Sequence, residues 1–154
     1  MENQETIAVF ANLPVPPSHN QCYRNVPRIG RVASAKLIAF RKQMQAWLFQ
    51  HHSEVKLAVN KCGDALEAGF LFQVNCYFLF NRKSLYTLEG QPKKMDVSNR
   101  IKALHDSIAD IIQIDDRLFW SVYCEKVELK LNEPESSTCV IKSYKPMVHT
   151  GTFR

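Results

Sequence analysis

The sequence predicts an α+β two-layer sandwich, a mixed β-sheet with two long helices packed on one face. Three observations predict it. Phe70, Phe72, Val74, Cys76, Phe78 and Phe80 alternate with Leu71, Gln73, Asn75, Tyr77 and Leu79, the period of two of a half-buried strand. Two other segments, 34–51 and 98–112, place apolar residues at helical spacing. Further strand-like runs fall at 6–13, 117–131 and 138–144. The 154 residues match the size of one domain, so a single unit over 1–154 is expected. Apolar content of 45% with 23% charged residues excludes a disordered or fibrous chain. No run approaches the roughly 20 apolar residues of a membrane helix. The start, MENQETIAVF, lacks the basic and apolar regions of a signal peptide. The expectation is a soluble cytoplasmic protein without a membrane partner.

Taken in order, TIAVFANL (6–13) is a first strand, mostly apolar and stopped by proline. LPVPPSHN (13–20) cannot be regular structure, because Pro14, Pro16 and Pro17 fix φ and remove donors. Arginines and a glycine to about Val32 read as a long exposed loop. Ser34 is a fitting N-cap for a helix whose buried stripe is Leu37, Phe40, Met44, Trp47 and Leu48, with Arg41, Lys42 and Gln45 off that stripe. Residues 53–69 are mixed and read as a loop with at most a helical turn near Asp64–Ala68. After the strand at 70–80, residues 81–95 read as a basic loop. A second helix over about Ser98–Ile112 buries Ile101, Leu104, Ile108 and Ile111 or Ile112. RLFWSVYCEKVELKL (117–131) is a long strand, with Phe119 or Trp120 in the core or an interface. NEPESS is a turn, TCVIKSY a last strand, and KPMVHTGTFR a tail.

The five cysteines are odd in number, widely spaced and without a CxxC pair, so they suggest neither a disulfide framework nor a zinc module. They read as small apolar core residues in a reducing compartment. His51 and His52 point about 100° apart on a helix, a poor shared metal site, and read as solvated helix-end residues.

Charge is more informative. The net charge is +5, yet no acid occurs from Thr6 to Ser53, a stretch holding Arg24, Arg28, Arg31, Lys36, Arg41 and Lys42. Arg82, Lys83, Lys93 and Lys94 form a second basic group. Five aspartates gather between Asp96 and Asp116. A basic surface beside an acidic cluster suits a metal-dependent enzyme acting on a polyanion, although chance segregation on a solvated surface gives the same composition.

Asp96 precedes the second helix and Asp115 and Asp116 follow it. A helix of about 14 residues is roughly 21 Å long, so these carboxylates meet only if the following strand or a second subunit brings them together. Asp96 is otherwise a helix N-terminal charge, and the Asp115–Asp116 pair a polar turn. Asn99, Lys102 and Asp106 share one helix face. Carboxylates there would suit Mg²⁺, a hard ion that prefers oxygen, and a lysine would offset charge on a phosphorane or leaving oxygen. The plain alternative for Lys102 and Asp106 is a surface i,i+4 ion pair.

KKMDVSNRIKALHDSIADIIQIDD resembles the core of the RusA-type Holliday junction resolvases, in which Asp-x-Asp-Asn precedes a lysine, a helical aspartate and a closing Asp-Asp pair. The matching positions are Asp96, Asn99, Lys102, Asp106, Asp115 and Asp116. LPVPPSHNQCYR is similar to the family's LPxPPSxN signature, and the likeness spans about residues 8–131, leaving 132–154 as an extra strand and tail. One position departs: Ser98 stands where the family has its second aspartate. The resemblance implies a homodimer that cuts opposed strands of four-way DNA junctions by Mg²⁺-dependent hydrolysis, in recombination and repair, with Mn²⁺ as a possible substitute. Asp96, Asp115 and Asp116 would be metal ligands, Lys102 the charge-stabilising group, and Asn99 a positioning residue. Arg24, Arg28, Arg31, Arg82, Lys83, Lys93 and Lys94 would hold DNA phosphates. Ser98 is a doubtful ligand and an expected N-cap. Its missing charge leaves open a rival, a branched-DNA-binding protein with weakened or lost cleavage, and a third reading is a structure-selective nuclease without four-way preference. The PxxP spacing of Pro14 and Pro17 would fit an SH3-type ligand, but the resemblance assigns those prolines to a structural loop.

Overall fold

The computed structural model describes residues 4–130, 133–148 and 151. Strand β1 (Thr6–Leu13) leads through a proline segment to a short helix α1 (His19–Cys22) and a hairpin, β2 (Tyr23–Val26) and β3 (Gly30–Ala33). Helices α2 (Ala35–Gln50) and α3 (His52–Glu67) follow, then β4 (Leu71–Phe80) and a short helix α4 (Arg82–Leu85). Helix α5 (Ser98–Ile112), a 3-10 turn (Asp116–Leu118), β5 (Phe119–Glu128) and β6 (Ser136–Tyr144) complete the chain. The sheet order is β1-β6-β4-β5; β4 and β5 are parallel and the other pairs antiparallel. This is the mixed sheet of an α+β sandwich.

The core explains the layering. Phe72, Val74, Cys76, Phe78 and Phe80 are all buried, as the alternation predicts, and so are Cys139 and Ile141 of β6. They form one apolar cluster with Phe40 and Trp47 of α2, Val55 and Cys62 of α3, and Leu104, Ile108 and Ile112 of α5. Trp47 ties α2 to the sheet edge, its ring edge-on to Phe10 at 5.3 Å and its Nε1 donating to the Ala11 carbonyl at 2.9 Å. Four of the cysteines are buried and Cys124 half-buried, all as free thiols, and burial pushes Cys62 up to about 11.

Three expectations need correction. Residues 53–69 are not a loop: α3 fills them, a third long helix beside the two expected. Its contacts come from small residues, Val55, Ala58 and Cys62, while Leu57 faces solvent and Gly63 interrupts the pattern. Residues 19–32 are not irregular either: α1 begins at His19, inside the segment expected to lack regular structure, and a hairpin follows it. The β2–β3 hairpin turns at Arg28 and Gly30, whose φ values of 65° and 95° let the Ile29 N–H reach the Val26 carbonyl. The basic loop at 81–95 carries α4 and a bridge between Tyr86 and Pro92.

Ser34 caps α2 as expected, accepting from the Leu37 N–H at 3.2 Å. Ser34→Ala should therefore lower stability by about 1 kcal/mol in denaturant unfolding. His51 is half-buried and stacked on Trp47 at 4.2 Å rather than solvated; His52 is exposed. The proline segment is packed, not displayed: Pro16 and Pro17 are buried, Pro16 accepts from Arg100 at 2.8 Å, and Pro14 from Ser137. That is a structural loop, not an open PxxP ligand. Of the two aromatics opening β5, Phe119 joins the core, whereas Trp120 occupies a register shift between Phe72 and Gln73 and is exposed. The expected tail at 145–154 lies partly, and the ends of the neighbouring turn and strand at 131–132 wholly, outside the described residues. No helix among the described residues is long and apolar enough to cross a membrane.

Candidate functional site

Helix α5 carries the center of the site. Lys102 and Asp106, one turn apart, form an ion pair at 2.7 Å, the alternative that spacing alone allowed. A third group joins them from beyond the helix: Lys102 Nζ also bonds Asp116 Oδ2 at 3.3 Å. The chain makes this meeting by reversing. Gln113 takes a left-handed conformation at φ 59° and its N–H reaches back to Ala109 and Asp110. Ile114 then buries itself and bonds the Ala109 carbonyl, a pattern that closes a helix end and turns the chain. Asp115 accepts from the Arg117 N–H, which starts the 3-10 turn and leaves Asp116 pointing back at Lys102. From Lys102 to the helix end is roughly 15 Å, and residues 113–116 running back cover most of it.

Asp96 belongs to a different neighbourhood. Its Oδ1 accepts from both the Ser98 hydroxyl at 2.6 Å and the Ser98 N–H at 2.9 Å, and these bonds hold its carboxyl below the usual range. Ser98 is thus not the N-cap that was expected. It is the first helical residue, and Asp96 satisfies its amide. Lys126 of β5 donates to the Met95 carbonyl at 3.1 Å and adds positive charge beside Asp96. Asn99 is half-buried at the same helix start. Asp115 is occupied by Arg117, at 3.4 Å.

The carboxylates therefore stand in two groups, Asp96 with Ser98 and Lys126, and Asp106 with Asp116 around Lys102. Among the described residues no three His, Cys, Asp or Glu side chains are placed to hold a metal ion. In one chain these carboxylates do not form a single ligand set: one oxygen each of Asp96, Asp106 and Asp116 is engaged by Ser98 or Lys102, and Asp115 by Arg117, so a hard cation would compete with these bonds for its oxygens. Lys102 has its affinity for a proton raised, first by the bond to Asp106 and then by both carboxylates, so it is an ammonium at neutral pH.

Removing the Ser98 hydroxyl isolates one of these effects. Ser98→Ala leaves the N–H bond alone, so the Asp96 pKa should rise toward the ordinary carboxylate value in a carboxyl-detected NMR titration. The sign follows from linkage. A carboxyl held low in the folded chain contributes stability above its unfolded pKa and loses it as pH falls through the lowered one.

The basic residues lie on two separate elements, the β2–β3 hairpin and the segment after β4. Arg24, Arg28 and Arg31 are exposed on the β2–β3 hairpin, with Arg31 over the Tyr23 ring at 4.3 Å. Arg82 stacks on Tyr86 at 4.7 Å and pairs with Glu128 at 3.2 Å. Lys93 Nζ bonds the Lys83 carbonyl at 2.7 Å, and Lys83 and Lys94 are exposed. Sequence reasoning gave no role to Lys126, or to Arg100, which ties the proline segment to α5. The strand register carries the first and a partly buried contact 84 residues away the second, so neither leaves a local signal.

No curated protein matches the chain. The family model described as Endodeoxyribonuclease RusA matches residues 14–135, a span that takes in Pro14, Pro16 and Pro17, all three long helices, β4, β5 and the acidic and basic side chains of the site. Two separated motifs, joined in space by the Arg100 bond to Pro16, lie inside that match. The chain belongs to the RusA endodeoxyribonuclease family.

Proposed function

We propose that the protein is a structure-selective endonuclease that resolves four-way DNA junctions by paired hydrolysis of phosphodiesters in opposed strands, in recombination and repair. The observation that carries it is the meeting of Lys102 with Asp106 and Asp116, within a chain of this family. An ammonium held between two carboxylates keeps its charge and its position. It is suited to binding a phosphate oxygen as negative charge builds on it, and to favouring departure of the leaving oxygen. The arginines of the hairpin and the lysines of residues 82–94 would grip backbone phosphates, which fixes orientation without reading sequence. A two-fold homodimer matches the two equivalent strands of a junction.

Mg²⁺, or Mn²⁺ in its place, enters through the family resemblance, with Asp96, Asp115 and Asp116 as its ligands. Their separation in one chain favours a second reading, junction binding without cleavage, since Ser98 also withholds a carboxylate. Both readings are separated by a nicking assay on a labelled mobile four-way junction with Mg²⁺ or Mn²⁺, beside Asp116→Asn protein and a linear duplex. Paired symmetric nicks, absent in the variant and on the duplex, are expected. A shifted but uncut junction in both metals would instead establish the binding protein.

A further inference from the structure

Beside the Lys102 cluster, α1, α2 and α5 enclose a cavity of about 340 Å³. That volume is within the range of small-molecule sites, roughly 300–1,000 Å³. Its floor is apolar, with Cys22, Leu37 and Met44 buried and Ile111 nearly so. Its rim is not. His19, Arg41 and Lys102 supply cationic or donor groups, while Asp106, Asp110 and Gln45 supply acceptors. Arg41 and Asp106 act on the Cys22 thiol in opposite directions, so both charges stand close to the cavity wall.

The composition of this lining selects an occupant. A plain phosphate site would have no use for an apolar floor, and an apolar ligand none for the charges. A nucleotide uses both: its base is a flat apolar ring edged with amino donors and ring acceptors, and its phosphate is an anion. Asp106 and Asp110 are acceptors for exocyclic amino groups. Arg41 and Lys102 are partners for phosphate. Lys102 also touches Asp116, so whatever lies in the cavity borders the cluster assigned to the reaction.

We propose that this cavity receives one unpaired nucleotide of a DNA strand, the base against Leu37, Met44 and Ile111 and its phosphate at Arg41 and Lys102. It rests on the nuclease reading above and extends it, because a branch point offers unpaired bases that a linear duplex withholds. Selection of branched DNA would then come from the cavity as well as from the basic surface.

The test uses the full chain labelled at methionine methyls, with Met44 in the cavity floor as reporter and the exposed Met147 as reference. Deoxyadenosine and deoxycytidine 5′-monophosphate should shift Met44 saturably, at least tenfold more tightly than deoxyribose 5-phosphate, and leave Met147 in place. A short single strand should produce the same shift and a paired hairpin duplex should not. Ser107→Leu, which adds bulk to the cavity wall, should weaken the nucleotide response tenfold or more. Gln45→Ala, an exposed change on α2, should weaken it about threefold and decides the matter if Ser107→Leu fails to fold. Equal responses to deoxyribose 5-phosphate and nucleotides would overturn the proposal, as would no response, or binding of monophosphates that no single strand reproduces. The nicking assay run in parallel keeps the two ideas apart. Base-dependent binding by a protein that cuts no DNA would sink the nuclease reading alone, and junction cutting without base-dependent binding would sink the cavity alone.

Discussion

Lys102→Met should lower the rate of junction nicking by about 10²- to 10³-fold, the loss seen when one donor to a developing oxyanion is removed, or roughly 3–4 kcal/mol of barrier. The fold should not notice. Both ion pairs of Lys102 are mostly solvent-exposed, and such pairs contribute about 0–1 kcal/mol each, so melting should move by a few degrees at most. Junction affinity should fall modestly, with the salt slope reduced by about one phosphate contact. Lys102→Arg restores the charge but spreads it over a planar fork, and should recover binding better than rate. The pH profile supplies an independent check. Asp106 and Asp116 raise the Lys102 pKa, so its stabilising contribution is complete below the ordinary lysine value and fades only as pH rises through the raised one. The nicking rate should consequently show no falling limb from this group below about pH 10. A variant that nicks at more than a tenth of the normal rate would remove Lys102 from the chemistry.

What the sequence made legible follows from where each signal is carried. Helix α5 was predicted with its observed ends because Leu104, Ile108 and Ile111 recur on one face and nothing large and apolar lies on the other. Strand β4 was equally clear, since one face is a row of aromatic and branched residues. Helix α3 was missed although Val55, Ala58, Val59, Cys62 and Leu66 recur at helical spacing, because most of that stripe is small and the exposed Leu57 and the interior Gly63 blur it. The β2–β3 hairpin was missed because it is exposed on both faces, so no alternation marks it. At the site, the Lys102–Asp106 pair was visible as an i,i+4 spacing. Asp116 joins it only through the left-handed turn at Gln113, a residue with no special preference for that conformation, so the contact was not readable locally. The position of Lys126 beside Asp96 depends on the parallel register of β4 and β5, which is set by the whole sheet.

Leu104→Ala carries the largest expected effect on stability, about 2–5 kcal/mol, because it empties a fully buried position. In a chain of this size each kcal/mol moves the melting temperature by about 2–4 °C, so a fall of about 10 °C is expected. The denaturant midpoint should drop with the slope unchanged. The reason lies in how α5 is held. Leu104, Ile108 and Ile112 are its fully buried residues, and they lock it to the cluster that includes the sheet and α3. Lys102 and Asp106 flank Leu104 at two residues on either side, on the solvent face of the same two turns. A helix free to tilt into the space left by Leu104 would lose the alignment that brings Lys102 to Asp116. Nicking measured well below the lowered melting point should therefore also fall, whereas an equally destabilising change far from α5, such as Phe10→Ala, should leave the rate of the folded fraction intact. Equal rates for the two variants would show that the core under α5 supports the fold without positioning the site.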